Sequence, residues 1–245
     1  MRTRFFAFAF TPLLALSALF LLSSCRFLGG ERIEGNGKVV TQQRNVGSFN
    51  SIDVGGALEV RVRQDAAASV QVATDENLQP YIETYLDGNT LVVQNKQGYN
   101  PDPSNNTIIY VSAPEFKNLE VSGASKLIGE NTVTSNDLGL RASGASEISM
   151  DVKAQKLETE ATGASNIQLK GRADKFSSEA SGASHLRCLD LQTDETTLDL
   201  SGASDAEVTA DKQLNIEASG ASDVKFRGNA NINQKSSGAS SVQKI

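Results

Sequence analysis

One histidine and one cysteine beyond the N-terminal stretch carry most of the side-chain chemistry open to this 245-residue chain, which has no tryptophan. His185 directly follows Ser184, and Asp205 occupies the equivalent place twenty residues on, so a Ser-His-Asp nucleophilic arrangement is conceivable on paper. Consecutive residues of a strand point to opposite faces, however, which denies Ser184 and His185 a common site. An exposed His185–Asp205 ion pair of marginal energy is expected instead. Asp205 and Asp223 recur at the same repeat position and should sit about 5 Å apart on neighbouring strands, close enough to share a calcium ion if further oxygens joined them. They are the only metal candidates. A zinc site is excluded by the single histidine and the lack of a paired thiol, no other cofactor is expected, and no catalytic residue is assigned. Cys188 shares a repeat column with Met150, Leu169, Val208 and Phe226 and reads as a buried small hydrophobe. Tyr81, Tyr85, Tyr99 and Tyr110 all precede the repeats, where they either pack a core or expose a sugar- or peptide-binding patch.

The elements that position these groups are set by a repeat. Ser/Thr-Gly-Ala-Ser begins at Ser122, Ser143, Thr162, Ser181, Ser201, Ser219 and Ser237, with spacings of 21, 19, 19, 20, 18 and 18 residues. A short period returning to one small-residue corner is the signature of stacked supersecondary units. Two residues after each corner stands Leu127, Ile148, Ile167, Leu186, Ala206, Val224 or Val242, an inward column. Two further on stands Gly129, Met150, Leu169, Cys188, Val208, Phe226 or Lys244, with polar residues between the columns. That alternation predicts half-buried strands. A second strand is expected before each corner, as at Leu138–Leu140 and Leu198–Leu200, giving two or three strands per coil. The fold class is therefore all-β, a right-handed parallel β-helix of coils of about 20 residues, rising about 4.8 Å per coil. In the corner, Gly supplies a positive φ, Ala stacks on its copies, and Ser hydroxyls are expected to bond from coil to coil.

Upstream, Ser51–Val54, Leu58–Arg63, Ser69–Ala73, Thr90–Gln94 and Thr107–Ser112 read as strands, and Asp87-Gly88-Asn89 as a hairpin turn. Asn100-Pro101-Asp102-Pro103 reads as a loop, because proline lacks the N–H a ladder needs. Asp75–Leu86 reads as a short helix capped by Thr74 or Asp75 and disturbed by Pro80. Phe49–Ala57 aligns with Phe116–Ala124 in apolar character, which extends the stack into the N-terminal half, with Ala67–Ala113 inserted as a cap.

Residues 1–24 read as a secretory signal, with Arg2 and Arg4 preceding an apolar run that closes on Leu22-Ser23-Ser24-Cys25. That ending resembles a bacterial lipobox, which implies a diacylglyceryl group and an acyl chain (palmitate) on Cys25 and a lipoprotein held in the membrane by its lipid. The alternative for the same run is a transmembrane anchor. Arg26 in place of Asp favours the outer membrane. Residues 25–45, polar and glycine-containing, are expected to serve as a tether, with the head domain at 46–245, divided into a cap and first coil at 46–115 and repeats at 116–245. Loss of residues 1–24 would leave 21 basic against 29 acidic residues, a balance unsuited to nucleic acid.

Ile52–Ala57, Asp75-Glu76-Asn77-Leu78 with Gly98-Tyr99-Asn100, Val111-Ser112-Ala113-Pro114-Glu115 and the repeated Ser-Gly-Ala-Ser together resemble the putative auto-transporter adhesin head GIN domain family over about Val46–Ile245. The resemblance implies an all-β, right-handed β-helix-like head in bacterial envelope proteins, with no catalytic residues to transfer. The expected function is a lipid-anchored, non-enzymatic head, an adhesin or binding module for a glycan or an envelope or surface protein. The alternatives are a polysaccharide-active β-helix enzyme using Asp205 or Asp223, and a passive structural or envelope-stress component.

Overall fold

The computed structural model describes residues 30–245. The signal, the apolar run and Cys25 lie outside the described residues. In chain order the N-terminal half holds β1 (Glu31–Glu34), β2 (Val39–Arg44), β3 (Ser51–Val54), β4 (Glu59–Gln64), β5 (Ser69–Asp75), a 3-10 turn (Glu76–Tyr81), β6 (Ile82–Asp87), β7 (Thr90–Asn95), β8 (Tyr99–Asp102) and β9 (Ile108–Ala113). The repeat half holds β10 (Asn118–Val121), β11 (Lys126–Ala142), β12 (Glu147–Ala161), β13 (Asn166–Ala180), β14 (His185–Leu200), β15 (Asp205–Ala218), β16 (Asp223–Arg227), β17 (Asn231–Ser236) and β18 (Ser241–Lys244).

The repeat half is a β-solenoid in which every strand pairs in parallel with the coil before it, and all but the terminal β17 and β18 also with the coil after. From β11 to β15 each coil is one continuous strand of 14 to 17 residues instead of two or three separate strands. Successive strands are separated by the Gly-Ala-Ser corner. The predicted inward column is in register from Leu127 to Val242 and buried from Leu127 to Val224. Uneven spacing is absorbed away from the corners. Between β12 and β13 the offset is 19 throughout, whereas the longer coil of β11 carries its extra residues as a bulge between Ile128 and Thr132, and β14 shifts between its partners of Gln168 and Lys170. Bulges take up extra residues without moving the paired columns on either side.

The corner glycines have φ near +75°, and each is packed on the one before. A Cβ on Gly182 would lie 2.5 Å from the Gly163 carbonyl oxygen. The same carbonyls accept from the next coil's alanine N–H, as Ala183 to Gly163 at 2.7 Å and Ala203 to Gly182 at 2.7 Å. Glycine is thus required twice, for its backbone conformation and for the close approach. The final serine of the corner has two roles. Ser146, Ser165, Ser184, Ser204 and Ser222 are buried and donate to the carbonyl three residues back in their own corner, at 2.8 to 2.9 Å, which closes the turn. The expected coil-to-coil bonds are present as longer contacts, from Ser125, Ser146, Ser165 and Ser240 to carbonyls of the preceding coil at 3.1 to 3.2 Å and between the Ser165 and Ser184 hydroxyls at 3.4 Å.

The stack continues into the N-terminal half as the Phe49/Phe116 alignment required. β3 pairs with β10 in the register Ile52↔Leu119 and Val54↔Val121, and Ala124 N–H donates to the Gly56 carbonyl at 2.9 Å. The inserted region supplies one further parallel layer, β7 on β3 and β9 on β4. Antiparallel strands then close the end, β6 on β7 and β5 followed by β2 on β9. Three local expectations are corrected. Residues 31–44, expected in the tether, form β1 and β2. Pro101 lies within β8 opposite Ile33, which a two-stranded sheet tolerates because its outer N–H positions need no partner. Of the helix expected over Asp75–Leu86, only Glu76–Tyr81 is helical, a short 3-10 segment containing Pro80 to which the Asp75 side chain makes no cap bond, and Ile82 onward is strand β6.

Candidate functional site

The long strands project two kinds of outward column, and these carry the charges. Register partners on adjacent coils are joined by ion pairs: Lys126–Glu147 at 3.0 Å, Arg141–Glu160 at 3.1 Å, Lys175–Glu195 at 3.2 Å, Lys225–Glu207 at 3.5 Å and Lys235–Glu217 at 2.7 Å. Asp194 accepts from both Lys212 Nζ and Arg172 Nη2 at 2.9 Å. The hydrogen bond from Lys212, with the charges of Lys212 and Arg172, holds its carboxyl below the ordinary range. Such exposed pairs contribute little energy each. They fix the charge pattern of the face and leave few side chains free to converge.

His185 Nδ1 lies 3.0 Å from Asp205 Oδ2 with both side chains about half exposed. Ser184, by contrast, is fully buried and donates to the Ser181 carbonyl at 2.8 Å. The strand alternation therefore separates Ser184 from the His185–Asp205 pair, and these three residues form no triad. Asp205 and Asp223 are register partners, as expected, but Asp223 Oδ1 is engaged by Ser241 Oγ. Among the described residues no group of three or more His, Cys, Asp or Glu is placed to hold a metal ion. Cys188 is buried in the second column, and burial pushes its thiol far up, which keeps it protonated. The tyrosines do not form one patch. Tyr81 and Tyr99 meet at 4.8 Å between ring centroids with Lys96 over the Tyr99 ring, Tyr85 lies exposed on β6, and Tyr110 lies half-buried on β9.

Shallow depressions lie between the outward columns; one gathers His185, Asp205, Asp223 and Lys225, and two others run along the stack. Of these two, one is lined by Gly139, Arg141, Glu158, Glu160, Ser177 and Glu179. It exists because Gly139 and Ser177 leave gaps in a column otherwise occupied by longer side chains. The other is lined by Ser149, Asp151, Gln168, Lys170, Arg187 and Glu207. The missing side chain at Gly139 was visible in the sequence, but its alignment with Ser177 two coils away depends on the register.

At the capped end a buried carboxylate does structural work that the sequence did not disclose. Asp75 is fully buried and accepts from Gly37 N–H at 2.7 Å, Ser104 N–H at 2.8 Å and Ser104 Oγ at 2.7 Å. Burial alone would raise its pKa, but the bonds from Ser104, Gly37 and its own amide outweigh this and hold it below the usual carboxylate range. Two residues on, Asn77 accepts from Asn36 N–H and donates to the Glu34 carbonyl, and Arg44 Nη2 donates to both oxygens of Gln79.

A family described as putative auto-transporter adhesin, head GIN domain, matches residues 48–230. The chain belongs to this family. Crystal structures share the fold at low identity. A putative adhesin from Bacteroides fragilis superposes with a TM-score of 0.80 at 19% identity, covering 87% of this chain and 100% of that one. A putative lipid binding protein from Parabacteroides distasonis gives 0.72 at 21%, covering 88% and 100%, and a putative adhesin from Parabacteroides merdae gives 0.66 at 20%, with the same coverage. No curated protein matches the chain.

Proposed function

We propose that this GIN-domain chain is a lipid-anchored cell-envelope protein, held in the outer membrane through Cys25, whose β-solenoid binds a glycan or another envelope or surface component without chemical turnover. The observation that carries the reading is the composition of the outward faces. They are long columns of register-matched, mutually compensated charges interrupted by shallow troughs, and the one nucleophile–imidazole–carboxylate set in the sequence is split across the strand. An extended polar surface with few convergent groups suits recognition of an extended ligand, where many modest contacts add along its length. The family description and the two structural neighbours described as putative adhesins support the same direction.

Two measurements test it. Metabolic labelling with palmitate should mark the wild-type chain in the membrane fraction and not Cys25→Ser; equal release of both to the soluble fraction would end the anchored reading. A glycan-array screen run beside reducing-sugar and unsaturated-product assays should give binding that Arg141→Glu or Arg187→Glu weakens. Turnover abolished by Asp205→Asn or Asp223→Asn would replace the binding reading with a polysaccharide-active enzyme.

A further inference from the structure

The chain between the anchor and the first strand is far shorter than the sequence led one to expect. If the head began at Val46, the link from Cys25 would span roughly 70 Å when fully extended. With Glu31 already fixed in β1, the same link spans roughly 20 Å at most. Where β1 sits therefore decides where the head stands.

β1 belongs to the capped end. It pairs in parallel with β8, from Glu31↔Tyr99 to Glu34↔Asp102. The loop before β8 is bonded through Lys96 N–H to the Tyr81 carbonyl at the end of the 3-10 turn. Beyond β1 the turn at Gly35–Gly37 is held against Asp75, and β2 runs on as the outermost strand beside β5. β2 and β6 are the last strands on their respective sides of the stack, and each presents one exposed large apolar side chain, Val39 at 49% and Tyr85 at 44%. The opposite end, β17 and β18, lies roughly 45–50 Å away along the stack, counting ten strand spacings from β2 to β18.

We infer that the capped end is the membrane-facing end of the head, held within roughly 20 Å of the lipid surface, with the solenoid axis carrying β18 outward. This rests on the lipid-anchored reading of Cys25. The β1–β8 pairing, the Arg32–Asp102 ion pair and the Asp75 bonds to Gly37 and Ser104 act as a clasp that sets the stand-off. Opening the clasp would free residues up to β2 and more than double the reach, to roughly 45 Å. The partner of this surface is a lipid bilayer, met by the exposed Val39 and Tyr85 and by the Tyr81–Tyr99 pair, side chains suited to the headgroup region. The troughs along the repeats then face sideways and remain open to a ligand.

The test uses the full lipidated chain in phosphatidylethanolamine/phosphatidylglycerol vesicles carrying an energy acceptor on the headgroups. Donors are placed singly at Val39→Cys and at Gln243→Cys; Cys188 is buried and stays unlabelled. Transfer from position 39 is expected to exceed that from position 243 severalfold. Equal transfer from both, in protein that floats with the vesicles, would overturn the inference while leaving the anchor intact. Failure of the wild-type chain to float would remove the anchor and the inference together. A second variant leaves the fold untouched: a flexible insertion of twelve Gly/Ser residues between Gly30 and Glu31 should bring the two transfer values towards each other, and an unchanged ratio would show that the short link does not set the orientation. Asp75→Asn with Arg32→Glu should do the same with the native link length, and no change there would refute the clasp.

Discussion

Two glycines, one in the repeats and one in a cap hairpin, serve different purposes. In the repeats, Gly182 has φ +80° and a Cβ there would sit 2.5 Å from the Gly163 oxygen; in the cap, Gly88 has φ +58° and nothing within 4 Å of the same position. The first is fixed by its neighbouring coil and the second only by its own turn. The contrast extends to everything else. The repeat half is held by one set of bonds used over and over, all strands parallel, so each coil stabilises the next. The capped half mixes parallel and antiparallel strands and depends on bonds that occur once, such as those of Asp75, Asn77 and Gln79. Periodicity builds the stack, and aperiodic polar contacts end it.

Substitutions probe that contrast, beginning with the corner itself. Gly182→Ala should cost about 3 kcal/mol or more, because strain at positive φ is added to a backbone clash that cannot relax without separating coils. Gly88→Ala should cost about 1 kcal/mol, from φ alone. Urea unfolding of both variants decides the point, and equal losses would mean that the corner packing is looser than the geometry implies.

The next largest effect should fall on the cap. Asp75→Asn removes a charged acceptor from three bonds and should cost about 2 kcal/mol, read as faster hydrogen exchange in β1 and β2 with the repeats unchanged. Its pH signature has a definite sign. A carboxyl held below its unfolded value of about 3.9 contributes fully above that value, and its contribution is lost as pH falls through the lower folded value. The wild-type cap should therefore weaken below about pH 4, and Asp75→Asn should remove that component. If exchange became faster in the repeats as well, the two halves would not be separable units.

Smaller effects test the repeat faces. Cys188 should react with a thiol reagent only after unfolding, and Cys188→Ala should cost about 1 kcal/mol for the volume lost; rapid labelling of the native chain would contradict its place in the core. Last, His185→Ala should shift stability by less than about 0.5 kcal/mol, since the pair with Asp205 is half exposed. A larger loss would give the outward columns a structural weight that their exposure argues against.

How much of this was legible beforehand depended on whether a feature repeats. The inward columns from Leu127 and from Met150, the outward setting of His185 and the burial of Cys188 follow from period-two alternation measured from a corner that recurs seven times. The register of β3 on β10 was legible because Phe49–Ala57 repeats Phe116–Ala124. β1, β2 and β8 were missed because their sequences alternate weakly and β8 contains Pro101, and β6 reads as part of a helix. They pair only at an edge, where patterning is relaxed. Asp75 was read as a helix cap from its local neighbours, while its partners lie 38 and 29 residues away.

The solenoid, its corner, its core columns and the separation of Ser184 from His185 were already set by the order of residues, because each is a local or periodic property that every coil restates. Tertiary structure alone decided where the stack stops, which charges meet across coils, and how Gly139 and Ser177 open a trough. Those depend on bringing together residues tens of positions apart through contacts made only once, and a single contact leaves no period for the sequence to display.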